Sequence, residues 1–293
     1  MQENKCSVPD GQIYFTIQNE MAPGVPVMVV HGGPGSSHNY LLPLTELLPG
    51  HPIIYYDQLD CGLSDKINDP TLWVIPRFVN EIECVRKHLG LEQFILLGHS
   101  FGTIFALDYA LNYNRYLKGL ILASPLISIE IFSRHMKKIL STYPERIQTI
   151  FIDHNRSPQS ACRFELMEAN LYHASLHVCR LAFWPELLLE SSLNTNIELR
   201  DYMWGKIDFF LTGTSCHYER RHLLPSLLVK TLLCCGEFDL IDEDDCRKFA
   251  ADIPDVVVSI IAGASHNPQF ESPEEYGHAL NKFIDELTFE PKN

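Results

Sequence analysis

A chain of 293 residues is about twice the usual domain of roughly 100 to 150 residues, enough for one large α/β domain carrying an insertion or for two ordinary domains. With 46% hydrophobic and 20% charged residues it has a globular composition, which excludes a collagenous, coiled-coil or disordered chain. The 23 Lys and Arg against 37 Asp and Glu leave a net charge of −14, which repels a phosphate backbone or an anionic membrane surface and argues against nucleic acid as a partner.

The first ten residues, MQENKCSVPD, contain no basic segment followed by an apolar one, and no later run reaches the roughly 18 apolar residues of a membrane helix. A cytoplasmic protein that does not enter membranes is expected. Nine cysteines, an odd number scattered through a chain too large to depend on staples, point to reduced thiols. His173 and His177 stand at i, i+4, but two ligands without a third do not make a zinc site, so neither metal nor cofactor is expected.

Along the chain, residues 12–18 alternate as an antiparallel strand does. Residues 27–30, 53–56, 94–97 and 119–122 are continuous apolar runs suited to strands covered on both faces. Between them, 78–88 and 102–112 read as helices. After Ser124-Pro125 come about 100 residues of helix-length segments rich in Arg, His and aromatics. Strands return at 226–235 and 256–262, and a helix at 273–287 closes the chain. The expected organisation is an α/β core, a mostly parallel sheet flanked by helices, made of residues 1–125 and 223–293. A helical cap, 126–222, interrupts it and packs against it, because no Gly/Ser linker marks a tethered module.

The chemistry concentrates at strand ends. Gly98-His99-Ser100-Phe101-Gly102 follows one strand and precedes a helix, the setting a G-x-S-x-G nucleophile elbow requires. A serine on so sharp a turn needs neighbours without Cβ, and it also needs a base and a carboxylate to orient that base. Asp239 lies just past the strand ending near Cys235, and His266 just past the next. The order Ser, Asp, His is that of the α/β-hydrolase fold, in which groups at the carboxyl ends of strands converge on one edge. Glu237, Asp242, Asp244 and Asp245 are better explained as a solvated turn and helix start. His99 is read as a packing residue, and His31, His38 and His278 lack the setting of His266. At the other place where such folds carry the acid stands Ala123-Ser124-Pro125, with no carboxylate. His31-Gly32-Gly33-Pro34-Gly35 follows the strand 27–30, so the N–H groups of Gly33 and Phe101 are the expected oxyanion donors.

His31-Gly-Gly-Pro-Gly35, the elbow and the Asp57-Gln58 segment together resemble the proline iminopeptidase family. The likeness continues through Trp184-Pro185, Tyr202-Met203 and the segment 208–214, which is similar to the branch typified by the tricorn-interacting aminopeptidase, and so covers roughly residues 25–285. It implies a serine peptidase releasing N-terminal residues, often proline, from short peptides or amino-acid amides. Asp208 corresponds to a cap acid that binds the substrate amine, while Leu240 stands where the branch has a second acid. In the segment 57–64 a glycine and an arginine of the family pattern are missing, and the loop is read as structural. Thr103 replaces a glycine that usually follows the elbow, a change a helix tolerates. The rival readings are a carboxylesterase, thioesterase or carbon–carbon bond hydrolase with the same triad and no need for a free amine, and a silent binding scaffold. Phe132, Tyr143, Tyr172, Phe183 and Trp184 are read as core rather than pocket.

Overall fold

The computed structural model describes residues 4–157 and 162–288. In chain order it contains β1 (Lys5–Val8), β2 (Gly11–Gln18), β3 (Val27–Val30), α1 (Leu44–Leu47), β4 (Ile53–Tyr56), α2 (Ile75–His88), β5 (Phe94–His99), α3 (Gly102–Tyr113) and β6 (Leu117–Ala123). Five helices follow, α4 (Ile129–Ser141), α5 (Glu145–Arg156), α6 (Arg163–His177), α7 (Glu186–Leu193) and α8 (Ile197–Met203). Then come β7 (Thr231–Gly236), α9 (Glu243–Ala250), β8 (Val256–Ile261), α10 (Pro268–Glu271) and α11 (Pro273–Thr288).

The strands form one sheet in the order β1-β2-β4-β3-β5-β6-β7-β8. The first two strands pair antiparallel, as does β2 with β4, and every later pair is parallel. Because successive strand residues point to opposite faces, Val27, Val29, Ile53 and Tyr55 enter one buried cluster, and Met28, Val30, Ile54 and Tyr56 the other. Two covered faces explain why these strands read as unbroken apolar runs.

The expected elements are found, with shifted ends. The run expected as a strand over 226–235 begins only at Thr231, because residues 221–226 coil into a 3-10 helix that contains Pro225. The helix expected over 78–88 starts three residues earlier, with a proline in its first turn where no N–H is missed. The edge strand β1 was not anticipated. Its four residues carry only one buried side chain, too little for a periodic signal.

The α4–α8 helices leave and re-enter the sheet through a narrow neck. Ser128 and Glu219 face each other in an antiparallel bridge. On either side of it Ile129 N–H bonds Tyr218 O at 3.0 Å and Arg220 N–H bonds Ile127 O at 3.0 Å.

Candidate active site

Backbone packing forces the turn at Ser100. A Cβ at Gly98 would lie 2.7 Å from Ala106 Cβ and 2.7 Å from Gly102 O; one at Gly102 would lie 2.3 Å from Val30 O. Only glycine lets β5, α3 and β3 meet this closely, and Ser100 between them is held at φ +54°, a region most side chains avoid. The strained turn is fixed by Ser100 N–H donating to Ala123 O at 2.8 Å and by Thr103 Oγ1 donating to Ser100 O at 2.6 Å. Thr103 Oγ1 also accepts Leu126 N–H at 2.8 Å, tying the elbow to the segment entering α4. Thr103, expected only to be tolerated by the helix, therefore holds the elbow with two bonds of its own.

Ser100 Oγ lies 2.9 Å from His266 Nε2, and His266 Nδ1 lies 2.7 Å from Asp239 Oδ1. The three residues singled out from sequence thus meet in one hydrogen-bonded line. Asp239 is buried on the β7–α9 connection. Burial pushes its carboxyl up, but the facing His266 and the Ser124 hydroxyl, which donates to Oδ2 at 2.6 Å, hold it below the usual range. Ser124 occupies the alternative acid position at the end of β6. Its lack of charge was legible in the sequence, but its bond to Asp239 was not.

The His31–Gly35 loop lies against the elbow. A Cβ at Gly32 would sit 2.9 Å from Ser100 Cβ. Gln58 N–H donates to His31 Nε2 at 3.1 Å, so the proton is on His31 Nδ1, which donates to Gly32 O at 3.0 Å. Complete burial lowers His31 to a pKa of about 4, which keeps it neutral. The Gly32 carbonyl is therefore pinned, and with it the plane of the peptide whose N–H belongs to Gly33. Among the described residues no acceptor is bonded to the N–H of Gly33 or of Phe101. Asp57, expected to be structural, accepts from His38 N–H at 2.8 Å and Leu63 N–H at 2.8 Å.

A cavity of about 340 Å³ opens on this line. Ser100, His99, His266 and Gly33 form its core side; Phe132, Leu188, Ile197 and Trp204 are among the residues contributed by the inserted helices. Asp208 and Leu240, the two positions compared at the amine site, both line it. Asp208 Oδ1 accepts from Arg200 Nη2 at 2.8 Å and from Trp204 Nε1 at 2.9 Å; among the described residues no donor reaches Oδ2. Burial pushes this carboxyl up, but the Arg200 charge, the facing His173 and the Trp204 hydrogen bond together hold it below its ordinary value. Asn196 also escaped the sequence reading. It caps α8 through Leu199 N–H at 3.1 Å, and its own N–H bonds Gly35 O at 2.8 Å, joining the helix that carries Arg200 to the glycine loop.

Of the aromatics read as core, Phe132 lines the cavity, Tyr143 is buried with its hydroxyl 2.6 Å from His173 Nδ1, and Phe183 is 90% exposed. His173 and His177 each find hydrogen-bonding partners in the protein, and among the described residues no group of three possible ligands could hold a metal ion.

The sheet, the elbow and the Ser-His-Asp line define a hydrolase of the α/β class, and the model of the alpha/beta hydrolase fold family matches residues 25–273. A proline iminopeptidase of Heyndrickxia coagulans is 32% identical over 97% of this chain and 99% of its own. One from Saccharolobus solfataricus is 30% identical over 94% of this chain and 89% of its own. Within the class, the chain belongs to the proline iminopeptidase family. The crystal structure of VinJ matches with a TM-score of 0.92 at 25% identity over 97% of this chain and 98% of that one. The proline iminopeptidase of Mycobacterium smegmatis matches in fold with a TM-score of 0.89 at 24% identity, over 97% of each chain.

Proposed function

We propose that this protein is a serine aminopeptidase that releases an N-terminal residue, of the proline type, from short peptides or amino-acid amides through an acyl-enzyme. The observation that carries the reading is the unbroken line from Ser100 Oγ through His266 to Asp239 Oδ1, at 2.9 and 2.7 Å, at the wall of a cavity. Ser100 attacks the carbonyl while His266 takes its proton and then returns it to the leaving amine. Asp239 fixes the His266 tautomer and stabilises the imidazolium. The developing oxyanion is bound by the N–H groups of Gly33 and Phe101, neither of which has another partner to give up among the described residues. Phe101 stands at the start of α3, where the helix dipole adds to the attraction. No cofactor or metal enters these steps.

The inserted helices, residues 126–222, act as a cap that admits short chains and screens long ones. Asp208 Oδ2 receives the substrate amine, and the segments 184–185, 202–203 and 208–214 support a place in the tricorn-interacting aminopeptidase branch. The acidic chain, with free thiols and no helix long and apolar enough to cross a membrane among the described residues, is consistent with the cytoplasm.

One observation favours a second reading. Arg200 already offsets the charge of Asp208, and Leu240 is apolar, so the cavity wall is close to neutral where an ammonium would sit. A carboxylesterase, thioesterase or related hydrolase using the same triad would suit such a wall. Initial rates on proline β-naphthylamide, its N-acetylated form and a short-chain nitrophenyl ester separate the two. The proposal expects a fast free-amine amide and a dead acetylated one; ester turnover with neither amide cleaved would overturn it.

A further inference from the structure

His99 precedes the nucleophile, is 1% exposed, and carries two bonds that packing alone does not require. Its Nε2 lies 2.9 Å from the backbone carbonyl of His266. A carbonyl can only accept, so the proton is on Nε2 and the other nitrogen is an acceptor. That nitrogen, Nδ1, lies 2.9 Å from the hydroxyl of Tyr40, which must therefore donate to it. The same hydroxyl accepts Gly32 N–H at 2.9 Å. Every donor in this series has one acceptor, and the direction of each bond is fixed by its neighbours: Gly32 N–H to Tyr40, Tyr40 O–H to His99, His99 N–H to His266 O.

We infer that His99 is a positioning residue, which couples the backbone of the general base His266 to the glycine loop that presents the oxyanion donor. The two groups come from opposite ends of the chain, on loops after β3 and β8, and each must keep its place relative to Ser100. The His266 N–H is held by the cap, through His177 O at 3.2 Å, and Glu271 holds the flanking N–H groups of Ser265 at 3.0 Å and Asn267 at 3.2 Å. Among the described residues His99 is the side chain bonded to the His266 carbonyl itself, so a displacement of the cap by substrate need not move the base. Burial also keeps the His99 ring neutral, at a pKa of about 3. It lies 4.9 Å from the His266 ring, where a second charge would oppose the imidazolium formed during attack. The inference rests on the assignment of Ser100 and His266 made above.

The two halves of the relay can be cut separately. In His99→Asn the side-chain amide sits near Nδ1 and can still accept from Tyr40, but it cannot reach His266 O. In His99→Gln the amide sits near Nε2 and can still donate to His266 O, but the acceptor for Tyr40 is lost. Tyr40→Phe removes the hydroxyl with little change of volume. Each variant is measured for kcat, KM, Tm and the rate of Ser100 labelling by a fluorophosphonate, beside wild type and Ser100→Ala. The relay predicts that all three lose about 10-fold or more in kcat and in labelling rate, with KM within about twofold and the folded state retained. It predicts further that Tyr40→Phe has little added effect in the His99→Gln background, where the link is already broken. Wild-type kcat in His99→Asn and His99→Gln, or kcat losses that multiply in the double variant, would overturn the inference. Turnover retained by Ser100→Ala would instead overturn the assignment on which it stands.

Discussion

The two walls of the cavity are built on different principles. On the core side, backbone geometry sets the positions: glycines 98 and 102 admit no Cβ, the Gly32 carbonyl is pinned by His31, and Asp239 has three donors besides His266. On the cap side apolar residues such as Phe132, Leu188 and Ile197 alternate with the polar Ser191, Ser192 and Thr195, and one carboxylate is shared between Arg200 and Trp204. The core side fixes what reaction is possible, because a displacement of about 1 Å there can lose a hundredfold in rate. The cap side decides which substrate arrives, and it can change by single substitutions without disturbing the sheet. A family can therefore keep its chemistry and vary its specificity.

Removing the nucleophile is the severest cut on the core side. Ser100→Ala should lower turnover of proline β-naphthylamide by at least about 10⁴-fold while leaving Tm near that of wild type. Initial rates on the purified variant check it, and retained turnover would mean that the line of Ser100, His266 and Asp239 is not the engine.

The next cut concerns backbone rather than chemistry. Gly102→Ala places a Cβ 2.3 Å from a carbonyl oxygen in the sheet and should lose about 4 kcal/mol or more, a large share of the roughly 5–15 kcal/mol that keeps a domain folded. Gly50→Ala has nothing within 4 Å and should stay within about 0.5 kcal/mol of wild type. Urea unfolding of both variants tests whether glycine content or glycine position matters. Equal losses would remove the steric account of the elbow.

The same contrast explains what could be read from the amino-acid sequence. Ser100, Asp239 and His266 were legible because each sits at a strand end inside a local pattern, and the elbow glycines because their spacing has one steric cause. Ser124, Tyr40 and Asn196 were not, since each is an ordinary residue whose meaning lies in a partner far along the chain. Tyr40 reaches His99 across 59 positions, and Ser124 reaches Asp239 across 115. His99 was legible as buried but not as bonded, because burial follows from the strand and the bonds follow from tertiary packing. The cavity wall was the least legible part: helical periodicity does not tell an apolar side chain in the core from one facing a pocket, and Phe132, expected as core, is both, buried in the main core and lining the cavity.

Acid sharpens the comparison through buried histidines. Burial lowers His31 to a pKa of about 4, His99 to about 3 and His173 to about 4. Below the ordinary histidine value near 6.5, the unfolded chain binds protons that the folded one refuses, so stability falls as pH falls. From pH 7 to pH 6 the three together should remove about 2 kcal/mol. Glu81 acts in the opposite sense. Burial pushes its carboxyl up to about 8, so the folded state holds a proton that the unfolded state has released, and this contribution grows as pH falls. Glu81→Gln should therefore show a steeper loss than wild type over the same interval. Urea unfolding at the two pH values is the measurement, and identical slopes in both proteins would remove Glu81 from the account.

The smallest effect belongs to the cap side. Asp208→Asn keeps a group that can accept from Trp204 but removes the charge, and Oδ2 is the atom left for an ammonium. Although packing under the inserted helices partly desolvates it, 34% of the Asp208 side chain is exposed and screened by water, so its loss should raise KM for proline β-naphthylamide by on the order of tenfold and leave kcat nearly unchanged. Rates on the acetylated amide and on the nitrophenyl ester should not move. Leu240→Glu runs the test in reverse, adding a carboxylate to the same cavity, and should lower KM for the free amine alone. If both substitutions leave the preference for a free amine where it was, the amine is bound elsewhere on the wall. If Asp208→Asn lowers kcat on every substrate alike, the residue serves the frame of α8 through Arg200 rather than the substrate, and the two walls are less separable than their construction implies.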